Sequence, residues 1–276
     1  MNIPRSEALA LLKWYGEMGV DEAIGEAPVD RYAVVAEAQK LPPKPSAPTP
    51  AVTPRQRMNE PPPAATARVS VSHSQLAESA EARAAACTTL EELRSALEAF
   101  DECGLKQTAK SLVFSDGNPD GRVMFIGEAP GRDEDLQGKS FVGRSGQLLD
   151  KMLQAIGLDR SQIYIANVIY WRPPGNRDPS PVEMAQCRPF IKRQIELCAP
   201  DIIVPLGAVP ARELLHTTTG ILRLRGHWKT YDMAGRKVPV LPTFHPAYLL
   251  RQPAQKKLAW RDFLELRCKL DETTEG

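Results

Sequence analysis

Four stretches of the chain place polar side chains where chemistry is possible. "GEAPGRDED", residues 127–135, sets Glu128 in a turn flanked by glycines and a proline. Such a turn brings backbone amides close to a ligand while the carboxylate points into the same space. Asp133, Glu134 and Asp135 follow at once, and carboxylates crowded on one loop favour a shifted pKa, at reactive sites and plain surface loops alike. The turn lacks both the G-x-x-x-x-G-K-[ST] spacing and the three-glycine fingerprint, which argues against a phosphate loop and a dinucleotide-binding fold. An ordinary strand-to-loop turn is the competing reading of these residues.

"GKSFVGRSGQ" presents Phe141 between glycines, outside any amphipathic period. An aromatic side chain on such a loop can stack on a planar ligand, although aromatics more commonly fill cores. Asn167 is a polar residue inside the apolar run "QIYIANVIY". Its amide offers an acceptor and a two-hydrogen donor, the complement of an imide edge, and burying it unpaired is costly. His245 precedes a proline in "TFHPAYLLR"; a lone histidine is usually structural, but this one falls at a strand end. The "AYLLR" after it pairs apolar wedges with a cation, as in loops that enter a base stack and hold a phosphate.

The elements that must position these residues alternate regularly. "RVMFIG", "QIYIANVIY", "DIIVPLG" and "KVPVLPTFHP" read as strands. Between them "SGQLLDKMLQAIG" gives a helix with Leu148, Leu149, Met152, Leu153 and Ile156 on one face, and "AVPARELLH" gives another. Ser180-Pro181-Val182-Glu183 opens a long helix with a serine cap, proline at the first helical position and a capping-box glutamate. A further helix is expected in "TTLEELRSALEAF", capped by Thr88 or Thr89, and a last one from about Ala254 to Leu270. This alternation predicts an α/β fold in three layers, α/β/α, with a central four-stranded parallel sheet. Ligands in such sheets bind beyond the carboxyl ends of the strands, where three of the polar loops converge.

The chain has 276 residues, and nine of its 25 prolines fall between Pro42 and Pro63. That composition cannot bury enough apolar surface to order itself, so residues 41–75 read as a linker. It separates an N-terminal helical segment, residues 1–40, from a globular domain at 76–276. In the former, Leu9, Leu12, Trp14 and Met18 recur at roughly helical spacing. Net charge is +1, yet residues 216–270 hold 11 Lys/Arg against 3 Asp/Glu while residues 1–101 hold 10 against 14. A basic C-terminal third suits a polyanion. No leader or apolar run near 18 residues stands out, so a cytoplasmic protein is expected. The odd set Cys87, Cys103, Cys187, Cys198 and Cys268 then means free thiols or metal ligands rather than disulfides.

Taken together, "GEAPGRDEDLQGKSFVGRSGQLLD", "NVIYWRPPGNRDPSPVEMAQCRP", "IVPLG" and "TFHPAYLLRQP" closely resemble the uracil-DNA glycosylase superfamily, in particular its family 4, the iron–sulfur type. The resemblance runs roughly from Leu97 to Leu270. It implies a base-excision repair enzyme, working as a monomer on uracil-containing DNA, that flips uracil out and hydrolyses its N-glycosidic bond to leave an abasic site. By position, Phe141 matches the stacking aromatic and Asn167 the reader of the uracil edge, with Gly127 and Ala129 completing the base site. His245 matches the histidine that donates to uracil O2 as the base leaves. Glu128 and Glu134 both match family acids; Glu134 is favoured for the water and Glu128 for organising the site. Arg172, Asn176 and Arg251 would contact the DNA backbone, and Leu249 or Leu250 would fill the gap left by the base.

The departure concerns the metal. The family pattern supplies four cluster cysteines, a C-x-x-C pair before the first strand, one after the second and a fourth beyond. Here Phe100 and Trp171 stand at two of those positions, leaving Cys103 and Cys187. Two thiolates do not hold a cubane cluster, which normally takes four protein ligands. The expectation is a member without cofactor, in which Phe100 and Trp171 plug the cluster's place. The alternative function is a protein that binds uracil or abasic DNA on the same fold with weak turnover or substrate trapping. A repair or replication protein as partner of the N-terminal segment is a further expectation.

Overall fold

A computed structural model describes residues 73–272, with side chains from residue 79 on. The expected N-terminal helical segment at residues 1–40 and the run from Pro42 to Pro63 lie outside them. Three helices come first: α1 (His73–Ala86), α2 (Leu90–Glu98) and the short α3 (Leu105–Thr108). Thr89 is the cap of α2, its hydroxyl accepting from the Glu92 N–H at 3.1 Å. The sheet then forms from β1 (Asp116–Gly117), β2 (Val123–Gly127), β3 (Ile163–Asn167), β4 (Ile202–Pro205), β5 (Lys229–Met233) and β6 (Arg236–Val240). The intervening helices are α4 (Arg132–Gln137), α5 (Arg144–Gln154), α6 (Pro181–Cys198), α7 (Ala208–Leu215), α8 (Ile221–Leu224), α9 (Pro246–Arg251) and α10 (Lys256–Glu272).

The strand order is β1-β3-β2-β4-β6-β5. The expected parallel core is present as β3-β2-β4-β6. The expectation of four strands needs correcting, because among the described residues the sheet has six. The two-residue β1 runs antiparallel beside β3, and β5 pairs antiparallel with β6. The β5–β6 hairpin closes on Ala234 and Gly235, both at positive φ, which matches the twist of two adjacent strands.

Helices cover both faces, as a parallel sheet requires. Along β2, Val123 and Phe125 face one side with Leu149 and Leu153 of α5 and Phe263 and Leu266 of α10. Met124 and Ile126 face the other, with Leu93 of α2 and Phe190, Ile191 and Ile195 of α6. Alternation along one strand thus builds both layers. Ser180 and Glu183 form the expected capping box at the start of α6, the serine hydroxyl accepting from the Glu183 N–H and Glu183 from the Ser180 N–H.

Register places the chemistry. Gly127 and Asn167 are partners at the carboxyl ends of β2 and β3. Leu206 and Thr243 bridge in parallel just beyond β4 and β6, which brings His245 to the same rim. No helix among the described residues is long and apolar enough to cross a membrane.

Candidate active site

The rim holds a cleft of about 410 Å³, and its walls include Glu128, Ala129, Glu134, Phe141, Asn167, Asn176, His245 and Arg251. Eight of the residues singled out in the sequence therefore meet in one place. Gly127 lies directly behind them: a Cβ there would come within 2.7 Å of the Phe141 ring and would also strike Oδ1 of Asn167. The side-chain-free position is what lets ring and amide close on each other.

Asn167 is 2% exposed, and its Oδ1 has no hydrogen-bond partner. A buried acceptor without a donor costs about 1–3 kcal/mol, so this amide is prepared for something that is not protein. Phe141 is also buried and takes φ of +56°, a region bulky side chains avoid. Its ring lies 5.5 Å from that of His245, tilted by 32°.

His245 caps α9, its Nδ1 accepting from the Ala247 N–H at 3.1 Å. The ring proton therefore sits on Nε2. Burial, seconded by the Arg251 charge, pushes its pKa down to about 4, so the imidazole is a neutral donor at physiological pH.

The two glutamates differ. Oε1 of Glu134 accepts from the Gly143 N–H at 2.9 Å, tying α4 to the loop that carries Phe141. Glu128 is half-buried in the cleft wall, and burial, then Asp178, raises its pKa. Asp135 is buried as well, but it accepts from the Lys110 and Ser111 N–H groups and serves the fold.

The remaining predicted residues stand apart. Arg172 is outside the lining and donates to Asn176 Oδ1 at 2.8 Å, on the short 3-10 turn Pro174–Asn176. Leu249 is fully buried with Phe244 and Ala259, whereas its neighbour Leu250 is only partly buried. Ser145, Asp178 and Tyr248 also line the cleft and escaped the sequence reading. Only Tyr248 carried a signal, as the aromatic of "HPAYLL".

The model of the Uracil DNA glycosylase superfamily matches residues 114–264. The chain belongs to the uracil DNA glycosylase superfamily. It is 40% identical over 169 residues to the Type-4 uracil-DNA glycosylase of Archaeoglobus fulgidus, covering 60% of this chain and 85% of that protein. With the Type-4 uracil-DNA glycosylase of Thermotoga maritima it shares 44% over 150 residues, 54% of this chain and 77% of the other. A Type-5 uracil-DNA glycosylase from Pyrobaculum aerophilum is similar at 28% over 148 residues, 48% of this chain and 64% of that protein.

The four positions of the family's cluster pattern do not fit an iron–sulfur group in this member. Phe100, Cys103, Trp171 and Cys187 are all at most 2% exposed and belong to one continuous core. Phe100 packs edge-on against Phe190, with centroids 5.1 Å apart, and Trp171 against Tyr170 at 6.3 Å. Cys103 and Cys187 are both buried free thiols. Among the described residues, no three His, Cys, Asp or Glu side chains are grouped to hold a metal ion.

Proposed function

We propose that this superfamily member excises uracil from DNA by hydrolysing its N-glycosidic bond, a reading supported by its similarity to Type-4 uracil-DNA glycosylases. The observation that carries this reading is the unpaired Oδ1 of Asn167 beside Phe141. An extrahelical uracil slid against the Phe141 ring offers N3–H to that oxygen and O4 to the amide hydrogens. Cytosine presents an acceptor at N3 and a donor at C4, so both contacts become repulsive.

The His245 Nε2–H lies ready to donate to O2 as the leaving base gains negative charge. A neutral donor whose acceptor becomes anionic binds the transition state better than the ground state. We assign the two acids roles opposite to those favoured from the sequence. Glu134 is committed to the Gly143 amide, which suits it to organise the site. Glu128, in the cleft wall with a raised pKa, is the acid that activates water or faces the oxocarbenium-like sugar. Asn176, Arg251 and, through Asn176, Arg172 track the backbone, and Leu250 takes the place of the flipped base.

Phe100 and Trp171 replace the cluster with packing, so the enzyme works without iron. Iron bound in stoichiometric amount would overturn this. The activity itself is tested with a single-stranded oligonucleotide bearing one uracil. Alkali-labile strands are expected; a stable gel shift without breakage would instead identify a binding protein.

A further inference from the structure

Phe141 does not hold its own backbone. Its positive φ is unfavourable for an aromatic residue, and such conformations persist only where the surroundings enforce them. Arg160, just before β3, supplies the enforcement. Its guanidinium donates to the carbonyls of Ser140, at 3.2 Å, and of Phe141. The same group is fixed from behind by Asp150 of α5, at 2.8 and 3.3 Å, and by Asp116 of β1. Helix α5 also approaches so closely that a Cβ at Gly146 would collide with the Phe141 carbonyl.

We propose that Arg160 is a positioning residue for uracil capture. Held by two carboxylates, it clamps two successive carbonyls and thereby presents the Phe141 ring to the base. Arg160 is not among the residues lining the cleft, so it acts through the Ser140–Phe141 backbone rather than by facing the base. The planar fork suits this task, since it reaches two acceptors in fixed directions while its remaining N–H groups stay paired. Lysine, with a point charge on a flexible stem, reproduces it only in part.

This inference rests on the stacking role of Phe141, and the test separates the two. Four full-length variants are compared with wild type: Arg160→Gln, Arg160→Lys, Gly146→Ala and Phe141→Ala. For each, three quantities are measured: steady-state excision, inhibition by free uracil, and affinity for an oligonucleotide carrying a tetrahydrofuran abasic analogue. Loss of base stacking weakens uracil inhibition and raises KM about tenfold. A contact made equally in ground and transition states leaves kcat within about twofold. We expect that pattern for Arg160→Gln and Gly146→Ala, a smaller shift for Arg160→Lys, and unchanged abasic-DNA affinity in all three. A general structural defect would lower abasic binding and kcat together, and that result overturns the proposal. So does unchanged uracil inhibition in Arg160→Gln while Phe141→Ala has lost it. If Phe141→Ala itself keeps uracil inhibition, the stacking reading falls instead. Should Arg160→Gln fail to fold, Gly146→Ala decides, because it displaces the same carbonyl with Arg160 intact.

Discussion

Asn167 and Trp171 are four positions apart in sequence, yet they belong to regions built on opposite rules. Around Asn167 the protein leaves an acceptor unpaired, bends an aromatic residue into positive φ and keeps a histidine neutral. Around Trp171 the neighbouring side chains are buried in a continuous core, with rings packed and the two thiols enclosed among them. The first region stores cost that a ligand can relieve; the second has nothing left to give. The family pattern is intact where interactions await a substrate and broken where packing can replace ligation.

From that division, changes in the cleft should strike rate and spare stability, and changes in the plug should do the reverse. The largest effect is expected for Asn167→Asp. A carboxylate has no donor for uracil O4, so excision should fall about a thousandfold, with thermal unfolding near wild type. His245→Gln should lose about a hundredfold or more. It should also flatten the acid side of the stability curve. A histidine whose folded pKa is about 4, below the ordinary 6.5, contributes stability present above pH 6.5 and lost as pH falls towards 4.

Glu128→Gln should slow excision about a hundredfold. The raised pKa of Glu128 places the acid limb of the wild-type rate profile above the ordinary carboxylate value, and the variant's residual activity should lack that limb. A raised carboxylate pKa means stability present at low pH and lost as the group ionises, so the glutamine variant should be no less stable at neutral pH. A stability loss there would show that Glu128 is braced like Glu134 and would blur the contrast.

On the plug side, Trp171→Ala should cost about 3–5 kcal/mol in denaturant unfolding, while the folded fraction excises uracil at the wild-type kcat. The smallest effect is expected for Cys103→Ser with Cys187→Ser, about 1 kcal/mol with full activity. Loss of activity in that double variant, at retained stability, would give the thiols a role that packing does not provide.

The parallel strands were legible because burial on both faces makes each a short continuous apolar run, as in Val123–Ile126 and Ile202–Val204. The hairpin was not: β5 is mostly exposed, so its residues carry no apolar signal. Helix α4 escaped for the opposite reason. It buries the carboxylates Glu134 and Asp135 and exposes Leu136, inverting the pattern by which helices are read. Asn167 and His245 stood out as polar residues at strand ends, which is where substrates bind. Glu134 was legible as an acid but not as a brace, since its partner is a backbone amide that only the fold supplies. Arg160, in the unremarkable "LDRSQ", gave no sign, because the two carbonyls it holds lie 19 and 20 residues away.

The hydrogen that serves as side chain at Gly127 also bears on how this site can change over evolutionary time. The Asn167 amide and the Phe141 ring, the proposed base reader and stacking platform, share one wall there, so a single methyl group would push both at once. A new base preference therefore cannot be reached by small independent steps at Asn167 and Phe141. Ring and amide have to move together when that wall changes.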